Sequence, residues 1–171
     1  MQYTQPLPSG SVASRRSFLK RALSAGAGLA ATAPVGARTG RIAAFDHVAV
    51  PMRNTEAMAA FYRRLGFDVM EGPRICSVHM AHQKINFHRP EFWQGGTFTL
   101  RAAAAEPPCG DFCFIWEGGP EALTTRLREA SAEVIEGPVD RQGGRDGGSA
   151  VGSSVYVRDP DRNLLEFIIY P

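Results

Sequence analysis

Asp68-Val69-Met70-Glu71-Gly72-Pro73 returns 65 residues later as Glu133-Val134-Ile135-Glu136-Gly137-Pro138. A near-repeat at this spacing predicts two copies of one supersecondary unit, each too small to cover its apolar face alone and buried by packing on the other. The residues around each copy agree with this. Before the first, Thr55 to Leu65 carries Met58, Phe61, Tyr62 and Leu65 on one helical face, with Asn54 or Thr55 as its cap and Gly66 as its stop. Before the second, Pro120 to Ala130 opens with Pro in its first turn and places Leu123, Leu127 and Ala130 on the corresponding face.

Strands complete each unit. Phe45 to Val50 and Asp111 to Trp116 precede the two helices, and Cys76 to Ala81 with Lys84 to His88 follow the first repeated element. After the second copy, Ser154 to Arg158 and Leu164 to Tyr170 flank Asp159-Pro160-Asp161-Arg162-Asn163. That pentapeptide predicts a hairpin turn, because Pro presets φ while Asp and Asn close local side-chain hydrogen bonds. The expected fold class is α+β, with two βαβββ repeats over about 42–88 and 111–171. Residues 89–110, rich in Gly, Pro and Ala, read as the linker.

Glu166 interrupts the last apolar run. A carboxylate there is costly to bury unless it is paired or bound to a cation. Alternation along Asp111 to Trp116 puts Phe112, Phe114 and Trp116 toward the helix and leaves Asp111, Cys113 and Ile115 on the other face. The Gly-rich segment 143–154, with Arg145, reads either as a cradle or lid for an anionic substrate or, the favoured reading, as a hairpin connection. It lacks the Lys-Ser/Thr that accompanies a phosphate-binding loop.

The double repeat resembles the vicinal oxygen chelate superfamily, which includes glyoxalase I, fosfomycin-resistance thiol transferases, extradiol dioxygenases and metal-free bleomycin-binding proteins. The resemblance rests on Phe45-Asp46-His47-Val48-Ala49-Val50, on Phe61-Tyr62-Arg63-Arg64-Leu65-Gly66-Phe67 and on Asp159-Pro160-Asp161-Arg162-Asn163-Leu164-Leu165-Glu166. His82 to His88 and Gly137-Pro138-Val139 are similar to a glyoxalase-domain-containing subgroup. The fold this implies is a cupped, barrel-like mixed sheet with helices outside. Arg162 stands where the family frequently has Gly, which predicts strain in the turn.

Metal-using members of that family take ligands from the first and last strands of each repeat. The resemblance therefore implies His47 and Glu166 as ligands of a divalent ion (Zn, Mn, Fe or Ni), with Asp111 opposite His47 and Glu166 also the group that moves a proton. Asn86 falls where a second carboxylate is expected. Asn86, His88, Tyr156 and Arg158 are the implied substrate contacts, Arg158 having a salt link to the turn aspartates as its other role. His79 and His82 read as core or surface residues. The implied function is a metal-dependent lyase, isomerase or transferase that stabilises an oxyanion on a small vicinal-oxygen substrate. A metal-free pocket that sequesters a small molecule is the alternative, and an extradiol dioxygenase with His88 as second imidazole is the third. Relatives with two repeats often pair across a two-fold axis, so a homodimer with shared cups is implied as well.

Residues 1–37 read as a twin-arginine export signal. Ser14-Arg15-Arg16-Ser17-Phe18-Leu19-Lys20 precedes an Ala/Gly-rich apolar stretch, Ala22 to Ala33, and the small-residue site Val35-Gly36-Ala37. Export machinery is then a partner, and the periplasm the destination, with a membrane tether if the signal is retained. Its removal takes away Arg15, Arg16, Lys20 and Arg21 and no acid, leaving 15 of the 19 basic residues against 17 acids. The remaining arginines are scattered among acids, which argues against nucleic acid as a partner. Cys76, Cys109 and Cys113 lack Cys-x-x-Cys spacing, so no thiolate zinc site is indicated. One bridge fits an oxidising compartment, with Cys76 and Cys109 the favoured pair, since Cys113 lies too far along an extended segment from Cys109.

Overall fold

The structure, a computed structural model, describes residues 40–171, so the signal reading lies outside the described residues. The elements follow in the order β1 (His47–Pro51), α1 (Thr55–Arg64), β2 (Asp68–Glu71), β3 (Ile75–Met80), β4 (Gln83–His88), α2 (Pro90–Trp93), β5 (Asp111–Ile115), α3 (Pro120–Glu129), β6 (Val134–Gln142), β7 (Val151–Arg158) and β8 (Leu164–Ile169). Two βαβββ units result, each a four-stranded mixed sheet, in the orders β1-β4-β3-β2 and β5-β8-β7-β6. The sheets are not hydrogen-bonded to each other, so the barrel-like closure expected from the resemblance is not completed within one chain. β1 and β2 are the edge strands of the first sheet, and β5 and β6 those of the second.

Each first strand runs parallel to the last strand of its unit, and the hairpins supply the antiparallel pairs. The parallel pairing is possible because an entire αββ excursion intervenes. Period-two alternation then divides the residues. Val50, Val78, Ile85 and Phe87 from the first sheet, and Phe114, Val157, Leu165 and Phe167 from the second, enter one core with α1 and α3. Phe67 and Phe114 join the units edge to face at 5.1 Å, and Phe87 meets Phe112 at 6.3 Å.

The turn between β7 and β8 is the polar knot of this core. Asp159, Asp161 and Asn163 are buried at 3%, 1% and 0% exposure. Burial is tolerated because every one is partnered. Asp161 accepts the backbone N–H of Arg53 (2.5 Å) and of Asn54 (3.0 Å), and the Asn54 side-chain amide (2.7 Å). Asn54 is thus the cap position of α1 but makes no side-chain cap bond; its amide is used on Asp161 instead. Asn163 accepts the N–H groups of Cys109 and Gly110, fixing the entry to β5.

Three expectations change. The first repeated Glu-Gly-Pro ends its strand at Glu71, whereas the second lies inside β6, which continues to Gln142 through two register irregularities. Gly137 permits this: its φ is 117°, and a Cβ there would sit 2.5 Å from the Ser154 carbonyl oxygen. The linker is not plain connection, since α2 and the segment after it lay Phe92 and Phe98 against His88. The Cys76–Cys109 bridge is absent: all three cysteines are free, Cys76 pointing into the core and Cys109 standing exposed at the mouth of β5. Among the described residues no helix is long and apolar enough to cross a membrane.

Candidate functional site

The faces opposite the core carry the polar residues. On the first sheet, the pairing aligns Ala49, Asn86 and Ser77 in one row and His47, Lys84 and His79 in the next. On the second, Cys113, Glu166 and Tyr156 form one row, flanked by Asp111 and Leu164. The two registers superimpose unit on unit. Asn86 is the counterpart of Glu166, Ser77 of Tyr156, and His47 of Asp111, so the first sheet has a neutral amide where the second has a charge.

His47 is half-exposed at the free edge, and its Nδ1 lies 2.5 Å from Asp46. A carboxylate only accepts, so Nδ1 carries the proton of this bond. His47 in turn holds the Asp46 carboxyl below its ordinary value, by the hydrogen bond first and by charge second.

Glu166 is tied into its sheet from the side. Ser154, wholly buried on β7, donates its hydroxyl to Glu166 Oε1 at 2.5 Å. The thiol of Cys113, a residue exposed at the surface, faces the same carboxylate and is pushed up to about 12, by partial desolvation first and then by the charge of Glu166 and its hydrogen bond. Tyr156, opposite Glu166, accepts Arg141 Nε at 3.1 Å on its hydroxyl, and Arg141 is anchored to Glu136 at 2.8 Å.

His88 shares the outer face with Asn86 but is 6% exposed. Its ring stands edge-on to Phe92 (5.4 Å) and Phe98 (5.1 Å), which stack on each other at 4.1 Å. Burial, and then the charge of Arg101, keep its pKa below the usual imidazole value, so it is neutral at pH 7. The remaining polar residues have other tasks. Arg158 donates to the Arg162 carbonyl at 3.0 Å rather than to the turn aspartates, which are already occupied. His79 hydrogen-bonds Ser77 at 2.9 Å, and His82 sits exposed in the β3–β4 turn. The Gly-rich segment makes a short 3-10 turn, Asp146–Gly148, and lays Arg145 over the Tyr170 ring at 4.4 Å.

His47, Asp111 and Glu166 are not brought together. Among the described residues no group of three His, Cys, Asp or Glu converges on one point within a single chain. The donor chemistry suits a divalent ion, but the geometry of one chain does not supply a shell, because the two polar faces turn away from the shared core. Between the units, along the free edge of β5, runs a groove of about 760 Å³ walled by Phe67, Met80, Phe114 and Trp116 and rimmed by Glu117 and Arg145. Exposed apolar side chains mark the edges, Phe45 beside β1 and Ile115 on β5, with Met70 on β2 and Val134 and Ile135 on β6.

Sequence reasoning missed two partners that orient these groups, Asp46 and the Arg141–Glu136 pair, and did not foresee that Ser154 bonds Glu166. Asp46 was visible as an acid next to His47, and Ser154 as a polar residue two before Tyr156 on an alternating strand. Phe92 and Phe98 had no signal, since they lie in a stretch without periodicity.

Residues 44–167 match the family described as Glyoxalase/Bleomycin resistance protein/Dioxygenase superfamily. The chain is 33% identical over 132 residues to the glyoxalase domain-containing protein RDO1 of Mycosarcoma maydis, covering 75% of this chain and 69% of that protein. It is 32% identical over 130 residues to virulence protein STM3117 of Salmonella typhimurium, covering 73% and 83%. The crystal structure of STM3117 aligns with a TM-score of 0.66 at 29% identity, over 77% of this chain and all of that one (100%). Lactoylglutathione lyase from Agrobacterium tumefaciens aligns with a TM-score of 0.55 at 19% identity, over 76% and 96%, a likeness of fold alone.

Proposed function

The chain belongs to the glyoxalase/bleomycin resistance/dioxygenase superfamily, and from that premise we propose that it is a metal-dependent lyase, isomerase or transferase acting on a small substrate with adjacent oxygens, its site completed by a second copy of the chain. One observation carries this reading. Each polar face presents a ligand-type group already oriented by a neighbour: His47 by Asp46, and Glu166 by Ser154. Such outer partners fix tautomer and direction before a cation arrives.

The second copy follows from the edges. β1 and β5 expose unpaired backbone, with Phe45 63% and Ile115 52% exposed beside them. Free edges bearing apolar side chains are ordinarily covered. Pairing β1 of one copy with β5 of another would bring His47 of one polar face to Asp111 and Glu166 of the other. A divalent ion bound there would supply charge to polarise two adjacent substrate oxygens. Glu166 then holds or returns the substrate proton, while Asn86, neutral His88 and Tyr156 line the walls.

Subunit complementation tests both claims. Metal content and turnover of vicinal-oxygen substrates such as glutathione hemithioacetals are measured for His47→Ala, for Glu166→Ala and for the two mixed. Each variant alone is expected to be metal-free and inactive, and an equal mixture that re-pairs at random to recover about a quarter of the wild-type metal, because half of its dimers are mixed and each of those rebuilds one of two cups. No recovery with intact dimers would sink the shared site, and a metal-free wild type would sink the metal dependence.

A metal-free binding protein is the second reading, and Asn86 favours it, since a neutral amide is a feeble ligand in the place of a carboxylate. A dioxygenase is less well supported, because its second imidazole would be His88, walled in by Phe92 and Phe98. We also propose export by the twin-arginine route to the periplasm. Replacing Arg15 and Arg16 by Lys should hold the protein inside the cell, which fractionation checks.

A further inference from the structure

We infer that Ser154 is a positioning residue that commits one oxygen of Glu166 to the fold and leaves the other for the polar face. The inference rests on the reading of Glu166 as the functional carboxylate. Ser154 has no exposure, and its hydroxyl reaches Oε1 at 2.5 Å, the length of a charge-assisted O–H···O bond. Such a bond is about twice as strong as a neutral one, and it restrains a carboxylate that Cys113 and Tyr156 also face.

The bond is diagonal. Glu166 lies directly opposite Tyr156, whereas Ser154 lies opposite Ile168, so the carboxylate is drawn along β7 toward the far row and Oε1 is spent within the sheet. Oε2 is then the oxygen left to act, and Glu166 becomes a one-oxygen donor.

The first repeat supplies an internal control. By register, the counterpart of Ser154 is Ile75, opposite His88 as Ser154 is opposite Ile168. The unit with neutral Asn86 therefore has an aliphatic side chain in the place where the unit with Glu166 has a hydroxyl. A hydroxyl serving only sheet packing would have no reason to follow the charge.

The test uses the full chain as wild type, Ser154→Ala and Ser154→Thr, the last keeping the hydroxyl. Crystal structures without added metal report the Glu166 side chain, and Co²⁺ titration followed by visible absorption reports coordination. In Ser154→Ala, with an unchanged thermal unfolding midpoint, Glu166 is expected to leave its place, Co²⁺ to bind roughly 10–100-fold more weakly, and the Co²⁺ band to shift as the carboxylate coordinates through both oxygens. Ser154→Thr should restore all three. A Glu166 that keeps its place in Ser154→Ala, or an unchanged Co²⁺ affinity and spectrum in a protein that binds it, overturns the inference. Wild type that takes up no Co²⁺ while Glu166 still moves in Ser154→Ala overturns the metal reading and leaves the positioning role standing.

Discussion

Tyr62 on α1 donates its hydroxyl to Asp159 at 3.0 Å, joining residues 97 apart in the chain at a point where neither meets solvent. This contact and the bonds of Asp161 to Arg53 and Asn54 clamp the first unit's helix to the second unit's hairpin. The position of Glu166, three residues beyond Asn163, depends on that clamp.

Tyr62→Phe keeps the ring among Phe61, Phe67 and Phe87, all within 5.3 to 5.6 Å between centroids, and removes only the hydroxyl. Losing a hydrogen bond to a buried carboxylate should cost about 1.5–3 kcal/mol in urea unfolding at pH 7. A loss below about 0.5 kcal/mol, within the usual range for surface substitutions, would show that Asn163 alone satisfies Asp159.

Asp159 also sets a pH dependence opposite to that of most carboxylates. Burial raises its pKa above the usual 3.8, against the hydrogen bonds from Asn163 and Tyr62. In the window between the unfolded and folded values the unfolded chain releases a proton that the folded chain keeps. The contribution of Asp159 to stability is therefore full below the unfolded value and falls as pH rises through the folded one. The stability difference between wild type and Asp159→Asn should shrink from pH 3.5 to pH 7; a difference that grows would contradict burial as the leading cause.

Arg162 holds φ at 75°, in the left-handed region, with its side chain exposed. Its contacts are made by the backbone, the carbonyl accepting Arg158 and the N–H donating to the Asp159 carbonyl at 2.9 Å, and any residue but proline provides both. Arg162→Gly should raise stability by about 0.5–1 kcal/mol, the strain relieved less the entropy gained by the unfolded chain. A lower melting temperature would mean that the Arg162 side chain does work in the turn.

Cys113, with its thiol pushed up to about 12, should alkylate slowly at pH 8 in the folded protein and accelerate only as pH approaches that value. Glu166→Gln removes the nearby charge and should bring the acceleration to lower pH. Equal rates in the two proteins, followed by mass spectrometry, would show that Glu166 does not face the thiol.

Ile115→Lys places a charge on the free edge of β5 without touching the core. If that edge is covered by β1 of a second copy, light scattering should report a monomer in place of a dimer. A variant as dimeric as wild type would put the interface elsewhere.

Much of this architecture was written in local patterns. The 65-residue echo announced two units, 3.6-residue spacing placed Met58, Phe61 and Tyr62 on the buried side of α1, and alternation sorted Asp111 and Cys113 from Phe112 and Phe114. Proline and aspartate made the 159–163 turn legible, and Arg162 proved to be the left-handed residue that a family preference for Gly implied. Asp161 was legible only as a turn former. Its partners Arg53 and Asn54 lie more than a hundred residues away, and no local pattern reports a bond of that span.

The sequence by itself determined which residues turn outward, because side-chain direction on a strand is a period-two property of the backbone. It named Asp111 as an outward group for that reason, whereas His47, Asn86 and Glu166 came from the family resemblance. Only the tertiary structure decided which groups meet, since sheet register and the union of two apolar faces depend on contacts distant in the chain. That union joins the two core faces of one molecule and turns His47 and Glu166 outward on separate sheets, each already held by its own neighbour.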